Sequence, residues 1–241
     1  GLALAMPSDN PQMFEYFLNH KNHKPGIPLD MISYHFYASP SADQTPEIQQ
    51  YTFFEQADRF LATTRYIESI RQRLSPETQT TIDEIGSISA DDGGQGSPGH
   101  VTKPIPNSYW NLSGATYAYV FGQLASLGID VAGESQLVGY PTQFPSVSMV
   151  NWHTGAPNTR FRVLELLKNN FKAGNKLVPV SSGTQSVYAL GFVSANGSRK
   201  ILFVNKRDRA FHLTLALVGT RLQFVDQPTA ESAPADQKMN S

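Results

Sequence analysis

The sequence predicts an α/β chain in which parallel strands alternate with helices, followed by a small antiparallel β unit. Three observations predict it. Strand-like apolar runs and amphipathic helical runs alternate four times over the first 175 residues, as parallel strands with crossover helices require. Short strands separated by turn signals replace that rhythm after Leu177. The composition, 40% apolar and 16% charged, is that of a chain able to fill a core.

The elements follow in order. Residues 2–6 read as the end of a buried strand. Ser8, Asp9, Asn10 and Pro11 form a turn able to cap a helix, in which Met13, Phe14, Phe17 and Leu18 keep helical spacing. Residues 29–37 read as a second strand. Pro46 opens the longest helix, to about Leu74, with Ile48, Tyr51, Phe54, Ala57, Leu61, Ile67, Ile70 and Leu74 on one apolar stripe. Residues 80–85 are the third strand. The stretch 86–106 is rich in Gly, Ser, Asp and Pro and too long for a mere connector.

A helix over 108–127 turns Trp110, Tyr117, Phe121 and Leu124 inward, with Gly128 at its C-cap. A fourth strand starts at residues 129–132. Asn158 then caps a helix through Phe171, with Phe161, Leu164 and Leu167 facing the core. Beyond it, strands are expected over 186–193, 200–205, 211–217 and 221–225. Asn196-Gly197 marks a hairpin with a type I′ turn. Residues 1–175 are thus expected as one domain, 176–228 as a β-sandwich, and 229–241 as a disordered tail.

Several function classes fall away. Net charge is −1, and no basic stretch beyond Lys206, Arg207 and Arg209 stands out, so a nucleic-acid partner is not expected. No apolar window is long enough for a transmembrane helix. The chain has no cysteine, hence no disulfide, thiolate or cysteine–zinc chemistry. Its six His are scattered and none belongs to a His-Glu-x-x-His helix, so no metal is expected. Neither a Gly-x-Gly-x-x-Gly nor a Walker pattern opens a helix, and no Gly-x-Ser-x-Gly elbow is present. No cofactor is expected. Two sequons, at Asn111 and Asn196, favour an extracellular or secretory location.

In a barrel of parallel strands, chemistry gathers at the strands' C-terminal ends. Three such ends carry polar groups: Tyr34, His35 and Tyr37; Asp83 and Glu84; Glu134 and Gln136. The stretches 86–106 and 139–155, the latter including Tyr140, would rim the same face. Carboxylates serve glycosidic cleavage as acid, base or nucleophile, and aromatic rings stack on sugars. Each group also has a plain structural reading: Glu84 as a solvated strand end, His35 as a bonded core residue, Glu134 as the partner of a structural Arg.

These strand ends resemble glycoside hydrolase clan A, the retaining (β/α)8 enzymes, and within it the branch of heparanase-like β-glucuronidases and β-xylosidases/iduronidases. Asp30-Met31-Ile32-Ser33-Tyr34-His35-Phe36-Tyr37 resembles the clan's sixth strand. Thr81-Ile82-Asp83-Glu84-Ile85-Gly86-Ser87 resembles the seventh, and Glu134-Ser135-Gln136-Leu137-Val138-Gly139 the end of the eighth. The resemblance implies the C-terminal half of a (β/α)8 TIM barrel, strands five to eight, followed by a β-sandwich. It implies that Glu84 is the catalytic nucleophile, held by Tyr37 and His35. It also implies that His35, Tyr37, Asp83, Glu134, Gln136 and Tyr140 bind substrate, an oligosaccharide, polysaccharide or glycoconjugate.

The clan's acid/base Glu follows an Asn, and this chain has no Asn-Glu dipeptide. With an apolar run at its first residues, the chain reads as starting in mid-barrel. Activity is then expected to need an N-terminal half barrel, in cis or as a second chain. The alternatives are an inverting pair of Glu84 and Glu134, a non-catalytic carbohydrate-binding protein and, third, a purely structural role.

Overall fold

The computed structural model of the chain describes residues 2–90, 92, 105–138, 144–151, 153–214, 221–222 and 237–238. Four strands form one parallel sheet in sequence order: β1 (Ala3–Leu4), β2 (Met31–Ala38), β3 (Gln79–Ser87) and β4 (Val131–Glu134). A helix follows each: α1 (Gln12–Leu18), α2 (Pro46–Leu74), α3 (Asn107–Leu127) and α4 (Thr159–Asn170). This is the expected partial barrel. The expected caps are in place at Gly128, which is left-handed with φ 74°. So are those at Asn158, whose side chain accepts from the backbone N–H of Arg160 and Phe161. The Ser8–Asn10 turn places α1, although no side chain caps it.

Alternation along β2 separates core from site. Ile32, Tyr34, Phe36 and Ala38 are buried, while Met31, Ser33, His35 and Tyr37 on the other face are only partly so. The buried face meets helices. Phe14 of α1 lies edge-on to Tyr34 at 5.4 Å, and Phe60 of α2 stacks on Phe36 at 4.7 Å. Burying such rings is the main drive holding helix to sheet.

Some expected faces shift. Ile48 and Tyr51, assigned to the α2 stripe, are exposed, and Phe53 and Phe60 are buried instead. Tyr51 receives the Arg207 guanidinium over its ring at 4.2 Å. On α3, Tyr109, Tyr119 and Val120 join Tyr117 and Leu124 inside, whereas Trp110 and Phe121 are only partly buried. On α4 the buried residues are Thr159, Arg160, Val163 and Leu167, not Phe161 and Leu164.

The β unit is a three-stranded antiparallel meander of β5 (Lys176–Pro179), β6 (Val187–Val193) and β7 (Arg199–Asn205). Its Leu190, Phe192, Leu202 and Val204 join the same apolar core as the helices. The β6–β7 hairpin forms at Asn196-Gly197, but not through a type I′ turn. Only Gly197 has positive φ (80°); its N–H bonds Ser194 O, and Ser194 N–H bonds Ser198 O. That is a type I turn closed by a left-handed glycine, the three-residue hairpin loop.

No strand forms over 211–214, and 215–220 lie outside the described residues. Beyond them, β8 (Arg221–Leu222) pairs antiparallel with β9 (Gln237–Lys238); the rest of the expected tail is outside the described residues. Among the described residues the β unit thus comprises the three-stranded β5–β7 sheet and the two-stranded β8–β9 sheet.

Candidate active site

A bulge in β3 builds the site. Against β2 the register runs Ser33↔Thr81 and then His35↔Glu84, so β3 advances three residues while β2 advances two. Against β4 it runs Ile82↔Ala132 and then Ile85↔Glu134, the same extra residue seen from the other side. In a regular strand Asp83 and Glu84 would point to opposite faces. The bulge lets both leave the core, with side chains 47% and 44% exposed, while Ile82 and Ile85 stay buried.

His35 stands between the two carboxylates. Its Nδ1 is 3.3 Å from Glu84 Oε2 and its Nε2 3.5 Å from Asp83 Oδ1. Tyr37, two residues on and on the same face, donates its hydroxyl to Glu84 Oε2 at 2.6 Å. The Tyr37 oxygen also lies 2.5 Å from Ser135 Oγ. The phenolic proton is given to Glu84, so Ser135 is the donor in that second bond. A hydroxyl relay thus runs from Ser135 through Tyr37 to Glu84. Gly86 makes room for it: a Cβ there would sit 2.9 Å from Tyr37 Cε1 and 3.3 Å from Arg160 Nη2.

Burial, and then the bond to Glu84, push the Tyr37 phenol from 10.0 up to about 12. Burial does the same to Tyr109, also to about 12. Both folded-state values lie above the ordinary one. Their contribution to stability is therefore complete below pH 10.0 and lost as pH rises through about 12. In an alkaline titration, tyrosinate absorbance from these buried rings is expected to appear together with loss of secondary structure. Full ionisation of every tyrosine near the ordinary value, in a chain still folded, would contradict this.

Glu134, expected to meet sugar, is committed elsewhere. Its side chain is 2% exposed and both oxygens are taken by Arg160: Oε1 by Nε at 3.0 Å, Oε2 by Nη2. Burial raises the carboxyl, with Arg160 opposing, and Glu134 in turn raises the guanidinium. The plain reading, a structural Arg partner, is the one realised, and an inverting pair of Glu84 and Glu134 loses its second free carboxylate. Gln136 sits in a left-handed backbone at φ 51°, its Oε1 buried without a hydrogen-bond partner among the described residues. Tyr140 and half of the rim, including 93–104, lie outside the described residues.

The cluster therefore unites His35, Tyr37, Asp83 and Glu84 and adds Ser135 and Arg160, which pattern reading missed. Arg160 had one signal: it is a cation in the first turn of a helix, where the dipole disfavours it, so a strong partner was called for. Among the described residues no group of three His, Cys, Asp or Glu comes together to hold a metal, and no helix is long and apolar enough to cross a membrane.

No protein-family model matches the chain, and no curated protein matches it. Among solved structures, it is similar to a GH51 arabinofuranosidase from Xanthomonas axonopodis pv. citri, with TM-score 0.63 and 14% identity over 87% of this chain. A second match, also an arabinofuranosidase, has TM-score 0.49 and 15% identity, covering 73% of this chain and 38% of its own. The chain spans only 43% of the Xanthomonas protein. At such identity the likeness is one of fold: the parallel sheet with its helices and the β unit correspond to part of a barrel glycosidase structure.

Proposed function

We propose that this chain carries the nucleophile side of a retaining glycosidase active site, with Glu84 as nucleophile. The observation that carries the proposal is the cluster at the ends of β2 and β3. One half-exposed carboxylate there is held at Oε2 by a protonated tyrosine and flanked by a histidine. Fixing one oxygen presents the other, Oε1, to an incoming anomeric carbon, the preorganisation that displacement needs. The fold likeness to an arabinofuranosidase supports a glycosidase, and the strand-end motifs support the heparanase-like branch of clan A.

In the first step Glu84 bonds the anomeric carbon while the bond to the leaving oxygen breaks. That oxygen keeps the electron pair and takes a proton from a general acid. In the second, water attacks the anomeric carbon and gives its proton to the same group, and Glu84 leaves as carboxylate. Two inversions give retention, with the two carboxyls about 5 to 5.5 Å apart. Asp83 shares the strand, and hence the sugar face, of Glu84, and Glu134 is occupied by Arg160. The resemblance to clan A, whose acid/base Glu follows an Asn in a dipeptide that this chain lacks, assigns the general acid to the remaining half barrel, in cis or on a second chain. The substrate is a β-linked oligosaccharide, polysaccharide or glycoconjugate outside the cell; His35 and Asp83 bind its hydroxyls.

The test is a panel of 2-deoxy-2-fluoro glycosides with dinitrophenolate leaving groups, arabinofuranosides and glucuronides included, followed by intact mass and peptide mapping. Such leaving groups depart without acid assistance, and the fluorine slows hydrolysis, so a glycosyl-enzyme accumulates. A mass gain on Glu84 is expected. A folded protein that binds these sugars but takes no label would be a non-catalytic carbohydrate-binding protein instead.

A further inference from the structure

Arg160 is the largest fully buried side chain among the described residues, at 0% exposure. A guanidinium so placed must satisfy its donors, and this one does so at the site. Besides both oxygens of Glu134, it donates to Val147 O through Nη1 and, through Nη2, to Ile85 O at 3.3 Å and Ser135 O at 3.2 Å. Ile85 is the residue after Glu84. Ser135 is the residue whose hydroxyl holds Tyr37. Gly86 adjoins both groups: a Cβ there would sit 2.9 Å from Tyr37 Cε1 and 3.3 Å from Arg160 Nη2. One side chain from α4 therefore clamps the ends of β3 and β4, the two strands that set the Ser135–Tyr37–Glu84 relay.

We infer that the Arg160–Glu134 pair is a positioning device for Glu84: it fixes the Tyr37–Glu84 hydrogen bond through Ser135 and Ile85 and never touches substrate. The inference rests on Glu84 being the nucleophile. A second buried pair supplies the contrast. Glu68 binds Arg71 at 2.7 Å and accepts from Thr80 Oγ1 at 2.6 Å, while Arg71 holds Pro76 O and Thr78 O. That pair staples the opposite ends of the strands and has no bond to the site.

The experiment replaces each pair in the full chain, Arg160→Met with Glu134→Leu and, as control, Arg71→Met with Glu68→Leu. Three quantities are read: thermal unfolding, the NMR resonance of isotope-labelled Tyr37 (assigned with Tyr37→Phe) and the rate of fluoroglycoside labelling of Glu84. In the Arg160/Glu134 variant the Tyr37 resonance is expected to move to its position in Glu84→Ala, which has no acceptor for the hydroxyl. Labelling should slow about 100-fold, as small misplacements of reacting groups do, with its dependence on sugar concentration little changed. The control should keep both at wild type, however much it melts.

A folded Arg160/Glu134 variant with the wild-type Tyr37 resonance and labelling rate would overturn the inference. If that variant does not fold, Glu134→Gln, which keeps the side chain's shape, takes the same measurements with the same expectations. If wild type takes no label from any sugar, the glycosidase reading fails by itself. The Tyr37 resonance then still decides whether the pair positions the Tyr37–Glu84 bond.

Discussion

Glu84→Gln should lower glycosyl-enzyme formation at least about 1,000-fold, the loss expected when a covalent catalyst is removed. The fold should not notice: the side chain is 44% exposed, and exposed substitutions of this kind change stability by about 0.5 kcal/mol or less. The amide oxygen of Gln still accepts the Tyr37 hydroxyl at the position of Oε2, so the geometry survives while the nucleophile is lost. Labelling rate, turnover of an activated aryl glycoside and a thermal melt, taken together, check this. Near-normal rates would move the nucleophile, and Asp83, brought to the same face by the bulge and likewise near His35, would be the first residue to test.

What the sequence made legible here is what local pattern encodes. The four strand–helix repeats, the caps at Gly128 and Asn158, and the placement of His35, Tyr37 and Glu84 at strand ends all follow from periodicity and turn chemistry. The β3 bulge was not legible. No glycine or proline marks Ile82 to Ile85, and the extra residue exists only in the pairing with both neighbours. Glu134 read as a sugar-binding residue, or as one half of an inverting pair, because a carboxylate's role depends on its partner. That partner arrives 26 residues later, on a helix whose inward face was assigned to Phe161 rather than Arg160. Ile48 and Tyr51 kept the helical period of α2, yet they are exposed: periodicity defines a face of a helix but not which of its turns reach the sheet.

The same pair makes the largest expected stability effect, and an asymmetric one. Either single substitution leaves a buried charge without its partner, which costs about 3–5 kcal/mol. For a chain of this size that lowers Tm by about 6–20 °C, at roughly 2–4 °C per kcal/mol. Glu134→Leu strands the guanidinium, which stays charged across the accessible range, and removes the carboxyl, so this pair adds no titration to the variant's own stability. Arg160→Met strands the carboxyl of Glu134, already raised by burial and now without the cation that opposed it. A carboxyl whose folded-state value lies above its unfolded one favours the folded state most below the unfolded value. That contribution is lost as pH climbs through the folded value. Arg160→Met should therefore recover stability as pH falls through the raised value of Glu134 toward 4.5, the ordinary carboxyl value, and gain nothing further below it from this group. Thermal melts of the two variants across the same pH series, compared with each other, measure the difference. Parallel pH profiles would mean that Glu134 is not the charge left behind, and that the pair is not the isolated buried ion pair its contacts describe.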